Sequence, residues 1–73
     1  MKNYDKAKFA ETQRMLAEAE KLSVCAFREF KGSLCDAEPD GVEADIAVMC
    51  GKEIMALEER IKKIRKMMVA LEA

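Results

Sequence analysis

Apolar residues recur along the first half of the chain at alternating steps of three and four. With two small polar residues that keep the spacing, the stripe runs through Phe9, Thr12, Leu16, Ala19, Ser23, Ala26 and Phe30. This spacing is typical of one face of an α-helix that packs along a single stripe. It predicts a first helix over residues 4–31, with Gly32 as the left-handed residue that ends it.

A second periodic stretch occupies the second half of the chain. It has the heptad spacing of a coiled-coil seam and runs through Ile54, Leu57, Ile61, Ile64, Met68 and Leu71. Upstream, Asp40 and Glu43 have the spacing of a capping box, in which each side chain accepts a hydrogen bond from a backbone N–H at the helix start. The pattern predicts a second helix over residues 40–72, after a turn over 32–39 that contains Pro39.

So short a connector makes two helices antiparallel neighbours. The sequence therefore predicts an all-α fold, a coiled-coil-like antiparallel two-helix hairpin that occupies residues 1–73 as one domain. Each helix contributes the stripe described above to the seam between them. A chain of 73 residues buries only about 60% of its unfolded surface, so we expect the hairpin to be completed by a partner or a second copy.

The chain has more apolar residues than one seam requires. Those that fall off the two stripes are Val24, Val42, Ile46, Val48, Met49, Met55 and Val69. A contiguous apolar patch on a small protein indicates an interaction site, and methionine adapts well to partner surfaces, so we interpret these residues as a protein interface. The alternative is a set of scattered exposed hydrophobic residues with no function. Gly51, inside the second helix, is either a tolerated imperfection that costs about 1 kcal/mol or a site where another helix approaches closely.

Composition argues against catalysis. The chain has no histidine, and three cysteines without metal-ligand spacing, Cys25, Cys35 and Cys50. We expect these to be reduced and partly buried, with one disulfide among them as the alternative. Because no phosphate-binding loop, nucleophile elbow or deep pocket is indicated, the sequence predicts no enzyme activity, metal, cofactor or small-molecule substrate. No apolar signal-peptide core and no uncharged run of ~20 residues is present, which predicts a cytoplasmic protein without a membrane span.

Charge is unevenly distributed, although the net charge is only −1. Acidic residues cluster around the turn, at Asp36, Glu38, Asp40, Glu43 and Asp45, and basic residues follow near the far end of the second helix, at Arg60, Lys62, Lys63, Arg65 and Lys66. Solvated charges that complement the helix dipole explain both clusters. A basic end that contacts nucleic acid is the alternative, which the lack of interleaved aromatic residues disfavours.

The outline resembles the small co-chaperone subunits of type III secretion needle proteins. The residues that carry the resemblance are the turn with Pro39, the apolar residue after it (Val42 or Ile46), and Ala56, Leu57 and Glu58 leading into Ile61 and Ile64. The resemblance implies a cytoplasmic hairpin that pairs with a larger helical-repeat chaperone and keeps a needle subunit from polymerising before export. The alternative is a self-associating hairpin, two copies forming a four-helix bundle, in one version a small regulator that binds nucleic acid through its basic end. The two hypotheses are compatible, because a co-chaperone can be a homodimer when its partner is absent.

Overall fold

The chain folds into two long helices that pack side by side. The computed structural model describes residues 3–34 and 40–73, in which α1 spans Lys6–Ser33 and α2 spans Gly41–Glu72. Contacts between the helices pair rising numbers in α1 with falling numbers in α2, since Glu20 contacts Arg65 whereas Phe27 lies beside Gly51. The helices are therefore antiparallel, and the predicted all-α hairpin is confirmed. No helix in the described ranges is long and apolar enough to cross a membrane.

The start of α1 is fixed by two local interactions. The Asp5 carboxylate accepts a hydrogen bond from the backbone N–H of Lys8 at 3.1 Å, which satisfies one free donor of the first turn. Tyr4, just before this cap, packs edge-on against the ring of Phe9, with 5.2 Å between ring centroids. This pairing is a hydrophobic staple across the helix start, and it places the helix boundary at Lys6 rather than at residue 4.

The predicted boundaries around the turn are wrong in two details. Gly32 lies inside α1, and the helix instead closes at Leu34, whose backbone N–H donates to the carbonyl of Lys31 at 3.1 Å. Asp40 occupies the cap position of α2 without a side-chain cap hydrogen bond, so the predicted capping box does not form. Gly41, with φ of 60°, turns the chain there in a conformation that favours glycine. The rest of the predicted turn, with Cys35, Asp36, Glu38 and Pro39, lies outside the described residues.

Most of the less exposed residues of the two helices form one row in each helix, with alternating steps of three and four, and we call these two rows the seam. In α1 they are Phe9, Gln13, Leu16, Glu20, Ser23, Phe27, Phe30 and Leu34, and in α2 they are Ala44, Ala47, Gly51, Ile54, Glu58, Ile61, Arg65 and Met68. Large aromatic residues of α1 meet small residues of α2 near the turn, whereas charged and polar residues alternate with apolar ones toward the open end. The seam thus includes several residues that hydrophobicity alone would place outside it.

Part of the seam predicted from the sequence is corrected by the structure. Of the residues assigned to it, the structure places Phe9, Leu16, Phe30, Ile54, Ile61 and Met68 in the seam, and it leaves Ala26, Leu57, Ile64 and Leu71 exposed, with Ala19 half-buried beside it. The physical reason is the orientation of each helix about its own axis. Each helix is rotated so that residues beside the predicted stripe, and not all of the stripe itself, face the other helix. That rotation lets the rings of Phe27 and Phe30 pack on Gly51, and it joins Arg65 to Glu20 at 2.8 Å.

The resulting core is very small. Ile61, at 7% exposure, is the one apolar residue in the described ranges that counts as buried. The hairpin measures 54 × 16 × 13 Å with a radius of gyration of 16.8 Å, where a compact chain of this length would have about 11 Å. It exposes 6099 Å², where a compact chain of this mass would expose about 4,500 Å². The exposed surface area is therefore well above that of a compact chain of the same mass.

Candidate protein-interaction surface

One side of the seam, which we call the charged face, carries eight charged side chains, seven of them basic. Its members in α1 are Arg14, Lys21, Val24, Arg28 and Lys31, and in α2 Val48, Lys52, Met55, Glu59, Lys62, Lys66 and Val69. Two shallow grooves between the helices show that these residues share one side. One is lined by Lys31, Lys52 and Met55 among others, and the second by Lys62, Lys66 and Val69 with seam residues.

The opposite side, which we call the apolar face, is defined by helical spacing relative to the seam. Its members are Met15, Ala19, Leu22 and Ala26 in α1 and Ile46, Cys50, Leu57, Ile64, Met67 and Leu71 in α2. More than half of the exposed large apolar side chains in the described ranges lie on this face. Leu22 is 64% exposed and Leu57 is 51% exposed, although both are large aliphatic residues. A contiguous apolar row of this kind on a protein surface indicates a binding site.

The residues predicted to form an interface are all exposed, but they do not form one surface. Val24, Val48, Met55 and Val69 lie on the charged face, separated by charged side chains, Ile46 lies on the apolar face, and Val42 and Met49 project from the outer side of α2. The wider apolar surface is instead built from residues such as Leu57 and Ile64, which the sequence pattern placed in the seam. Heptad spacing identifies the apolar row of α2, but it does not show which side of that row faces α1.

Some charges on the charged face, those of Arg14, Glu59 and Lys62, are paired within the hairpin. The Lys62 ammonium lies 2.9 Å from Glu58 and 3.6 Å from Glu59, and the hydrogen bond to Glu58 raises the pKa of Lys62 above its usual value. At the other end, the guanidinium of Arg14 donates two hydrogen bonds to the carboxylate of Glu11. These bonds lower the pKa of Glu11 and raise that of Arg14. These charges are therefore satisfied within the hairpin and need no partner chain.

Two charged residues of α2 border the apolar face without such pairing. Glu53 precedes Leu57 by one turn and Arg60 follows it by about one turn, and both are exposed. Neither makes an ion pair with another residue of the described ranges, in contrast to Glu58 and Lys62. An apolar row with an unpaired acid on one side and an unpaired base on the other is the usual composition of a helix–helix interface rim.

The basic run near the end of α2 does not form one basic surface. Arg65 turns into the seam, where it donates a hydrogen bond to Glu20, and Lys62 is held by Glu58. By helical spacing Arg60 borders the apolar face, Lys63 points to the outer side and Lys66 lies on the charged face. Because the five cations point in different directions, a phosphate backbone meets no continuous basic stripe here.

Cavities and side-chain clusters offer little chemistry. The more apolar groove lies at the turn end on the charged face, has a volume of about 370 Å³ and is lined by Phe27, Phe30, Val48, Gly51 and Met55 among others. It is open to solvent and contains no group placed for catalysis. Cys25 and Cys50 are unpaired and exposed, which corrects the expectation of partial burial, and Cys35 lies outside the described residues. No group of three metal-binding side chains occurs in the part of the chain that the structure describes.

Comparison with protein-family models, with curated proteins and with solved structures finds no match for this chain. What it does must therefore be inferred from its own surface. The apolar face is the feature of that surface that the fold itself does not use.

Proposed function

We propose that this chain is a non-catalytic protein-binding module that docks its apolar face on a helical partner chain. The observation that carries the proposal is the exposure of Leu22, Leu57 and Ile64 on one side of a hairpin whose other side is charged. Apolar rows of this kind on a helix fit grooves of helical partners, where every third or fourth residue serves as an anchor.

The weak core of the hairpin supports the same proposal. The free chain exposes 6099 Å², about 1,600 Å² more than a compact chain of its mass would. A leucine or isoleucine that passes from water into an interface contributes about 1.5–3 kcal/mol when it is fully buried. A partner that binds only the folded hairpin therefore stabilises it, by about 2.7 kcal/mol at a concentration one hundred times its Kd.

The more specific form of the proposal is a cytoplasmic co-chaperone of type III secretion. It rests on the resemblance of the turn and of the second helix to that family, together with the hairpin architecture. In this form the partner is a helical-repeat chaperone, whose concave surface would receive the apolar face. The pair would keep a needle subunit from polymerising. The basic run near the end of α2 gives little support to nucleic acid as an alternative, because Arg65 and Lys62 are paired within the hairpin and the other cations of the run point in different directions.

The proposal is tested by capture of partners with two matched variants. A tagged wild-type chain, an Ile64→Glu variant of the apolar face and a Val48→Glu variant of the charged face are each incubated with nuclease-treated cytoplasmic extract of the source cells. Captured proteins are identified by mass spectrometry. We expect one specific protein to be retained by the wild type and by Val48→Glu and to be lost with Ile64→Glu, since only that variant places a charge in the apolar row.

The captured protein is then purified and titrated against the chain while unfolding is followed by circular dichroism. A rise in melting temperature with partner concentration supports the module, and a partner with helical repeats together with a small polymerising subunit supports the co-chaperone. A protein bound equally by all three chains, or one that leaves the melting temperature unchanged, would contradict the proposal.

A further inference from the structure

The two unpaired charges of α2 are placed symmetrically within the apolar row. Glu53 and Arg60 lie at equal distances in sequence from the midpoint between Ala56 and Leu57. Apolar members of the row follow the same symmetry, since Ile46 and Met67 are also equidistant from that midpoint. Cys50 and Ile64 are equidistant from Leu57 itself. A helix face with this property is complementary to an antiparallel copy of itself.

We infer that the apolar face of the free chain is covered by a second copy, related by a two-fold axis that crosses α2 at Leu57. The α2 helices of the two copies then run antiparallel, with Leu57 against its own equivalent at the axis. Ile46 lies against the other copy's Met67 and Cys50 against its Ile64, each twice. Two symmetry-related ion pairs between Glu53 of one copy and Arg60 of the other border this apolar centre.

Neighbouring registers do not share this complementarity. If one copy slides along the other by one heptad toward the start of α2, Glu53 meets its own equivalent and Ile46 meets Arg60. One heptad later, Arg60 meets its own equivalent and Glu53 meets Met67. Like charges placed opposite each other, or a charge placed against an apolar residue, disfavour both displacements. The charges of α2 therefore select one register.

The direction of association follows from the charges at the two ends of the hairpin. Asp40, Glu43 and Asp45 lie at the turn end, and Lys6 and Lys8 lie at the open end. A two-fold axis parallel to the helices would bring both acidic turn ends together. The axis through Leu57 places the turn end of each copy beside the open end of the other, which brings opposite charges together.

The first helix is compatible with the same arrangement. Gly51 is level with Phe27 and Phe30, and Arg65 is level with Glu20, so Leu57 lies level with the stretch between Glu20 and Phe27. Leu22 and Ala26 belong to that stretch and to the apolar face. The members of the apolar face in α1, from residue 15 to residue 26, are all uncharged. Close to the axis the two copies of α1 thus present the uncharged Leu22 and Ala26 to each other, and Glu29, one heptad after Leu22, marks the end of this uncharged stretch.

The area available matches what a dimer requires. A standard interface buries about 800 Å² on each partner, and the exposed surface of this hairpin exceeds that of a compact chain by about twice this amount. The result is a four-helix bundle whose centre is built from the face that the hairpin leaves open. The inference rests on the proposed function in one respect, since it uses the same apolar face and makes the second copy a competitor of the partner.

Charge reversal tests the register in the intact chain. In a homodimer of Glu53→Arg, two arginines face each other at each of the two contacts, and in a homodimer of Arg60→Glu two glutamates do. We expect sedimentation equilibrium to show a wild-type dimer, and each single variant to have a dimer Kd raised about tenfold or more. An equimolar mixture of the two variants should form heterodimers with a better Kd than either variant alone, because each of the two contacts then joins an arginine of one chain to a glutamate of the other. The double variant Glu53→Arg/Arg60→Glu should regain the wild-type Kd, because each arginine again faces a glutamate.

Glu59→Arg is the matched control, because it makes the same change of charge on the charged face of the same helix, at a side chain that is 73% exposed. Its dimer Kd should stay within about threefold of the wild type. A wild-type chain that is monomeric at about 1 mM overturns the inference. Single variants with unchanged Kd, or a double variant that does not recover the affinity, overturn it as well.

A second measurement locates the axis without relying on charge. In a chain whose three native cysteines are replaced by serine, Leu57→Cys should form a disulfide with its own equivalent under mild oxidation. Met55→Cys, on the opposite face at nearly the same height, should remain a thiol. Efficient linkage through position 55 and not through position 57 would overturn the proposed axis. Partner capture by the monomeric Glu53→Arg variant, which keeps Leu57 and Ile64, separates failure of this inference from failure of the proposed function.

Discussion

The two faces of the hairpin differ in how far their side chains find partners within the chain. On the charged face, Lys62 is held by Glu58 and Glu59, and Arg14 is paired with Glu11 at its edge. On the apolar face, large side chains such as Leu57 remain half in solvent. Charges on one face are satisfied locally because residues three and four apart on a helix are neighbours. Apolar side chains in a single row have no such local solution, and only a second surface would bury them.

The comparison also explains why the seam is so polar. Arg65 and Glu20 meet within it, and Glu58 lies in it as well. These residues occupy positions that an isolated coiled coil would fill with leucine, while Leu57 and Ile64 lie one position away on the open side. The arrangement has low stability for a lone hairpin, but it suits one layer of a larger helical assembly. There, the apolar face becomes the core.

The largest effect should come from shortening a side chain in the seam. Ile61→Ala is expected to lower the free energy of unfolding by about 2–5 kcal/mol, because this residue forms the centre of the small core. Ile64→Ala is the matched control, since it removes the same atoms one turn away on the apolar face, where Ile64 is 40% exposed. It should cost less than about 1 kcal/mol in the dilute chain.

Both variants are measured by urea unfolding, followed by circular dichroism over a range of protein concentrations. The loss for Ile61→Ala should be the same at all concentrations, whereas that for Ile64→Ala should grow as association sets in. Equal losses that do not depend on concentration would contradict the division between the seam and the apolar face.

The next effect compares equal charges placed on the two faces. Leu57→Glu is expected to weaken self-association by about 2–3 kcal/mol, roughly a hundredfold in Kd, because a carboxylate replaces the residue at the two-fold axis. Met55→Glu, which makes a similar change two residues away on the charged face, should leave the Kd within about threefold. Sedimentation velocity at several concentrations measures both. Stronger weakening by Met55→Glu would reverse the roles that we assign to the two faces.

A smaller effect is expected where the seam borders the turn-end groove. A methyl group added at Gly51 would lie 3.7 Å from the Cε2 atoms of Phe27 and Phe30, which is ordinary van der Waals contact. Gly51→Ala should therefore stabilise the hairpin by up to about 1 kcal/mol through helix propensity. Gly32→Ala, where the added methyl group would contact no side chain or other helix within 4 Å, serves as the control for propensity near a helix end. Destabilisation by Gly51→Ala alone would show that the helices are closer at Gly51 than the structure has them.

The number, direction and extent of the helices could be predicted from periodicity, since steps of three and four leave few alternatives. The orientation of each helix about its axis could not. In each helix, apolar residues occupy two adjacent positions around the helix axis. A second helix could pack equally well on either of these two positions. The choice depends on interactions that spacing does not encode, such as the ion pair of Arg65 with Glu20 and the packing of Phe27 on Gly51.

Because the orientation of the helices could not be predicted, the residues of the candidate interaction surface could not be predicted either. Val48 and Met55 fall off the predicted seam, which favours an interface there, whereas the orientation of the helices leaves Leu57 and Ile64 exposed on the other side. The start of α1 was misplaced for a simpler reason. The cap at Asp5 and the staple between Tyr4 and Phe9 are sequence signals that hydrophobic periodicity does not weigh.

The smallest effect concerns the ion pair between Arg14 and Glu11, at the edge of the charged face. The bidentate contact with Arg14 lowers the pKa of Glu11, and Arg14→Ala should raise that pKa toward its ordinary value in a carboxyl-detected NMR titration. Arg14→Lys should give an intermediate value, because an ammonium keeps the charge but loses the second hydrogen bond.

A carboxyl group whose pKa is lowered by folding stabilises the fold above its unfolded pKa, and this contribution is lost as pH falls through the folded pKa. The melting temperatures of wild type and Arg14→Ala should therefore converge in acid and differ slightly at neutral pH. A Glu11 pKa that does not respond to Arg14→Ala would mean that this pair does not persist in solution, and the pairing on the charged face would then rest on Lys62 with Glu58 and Glu59.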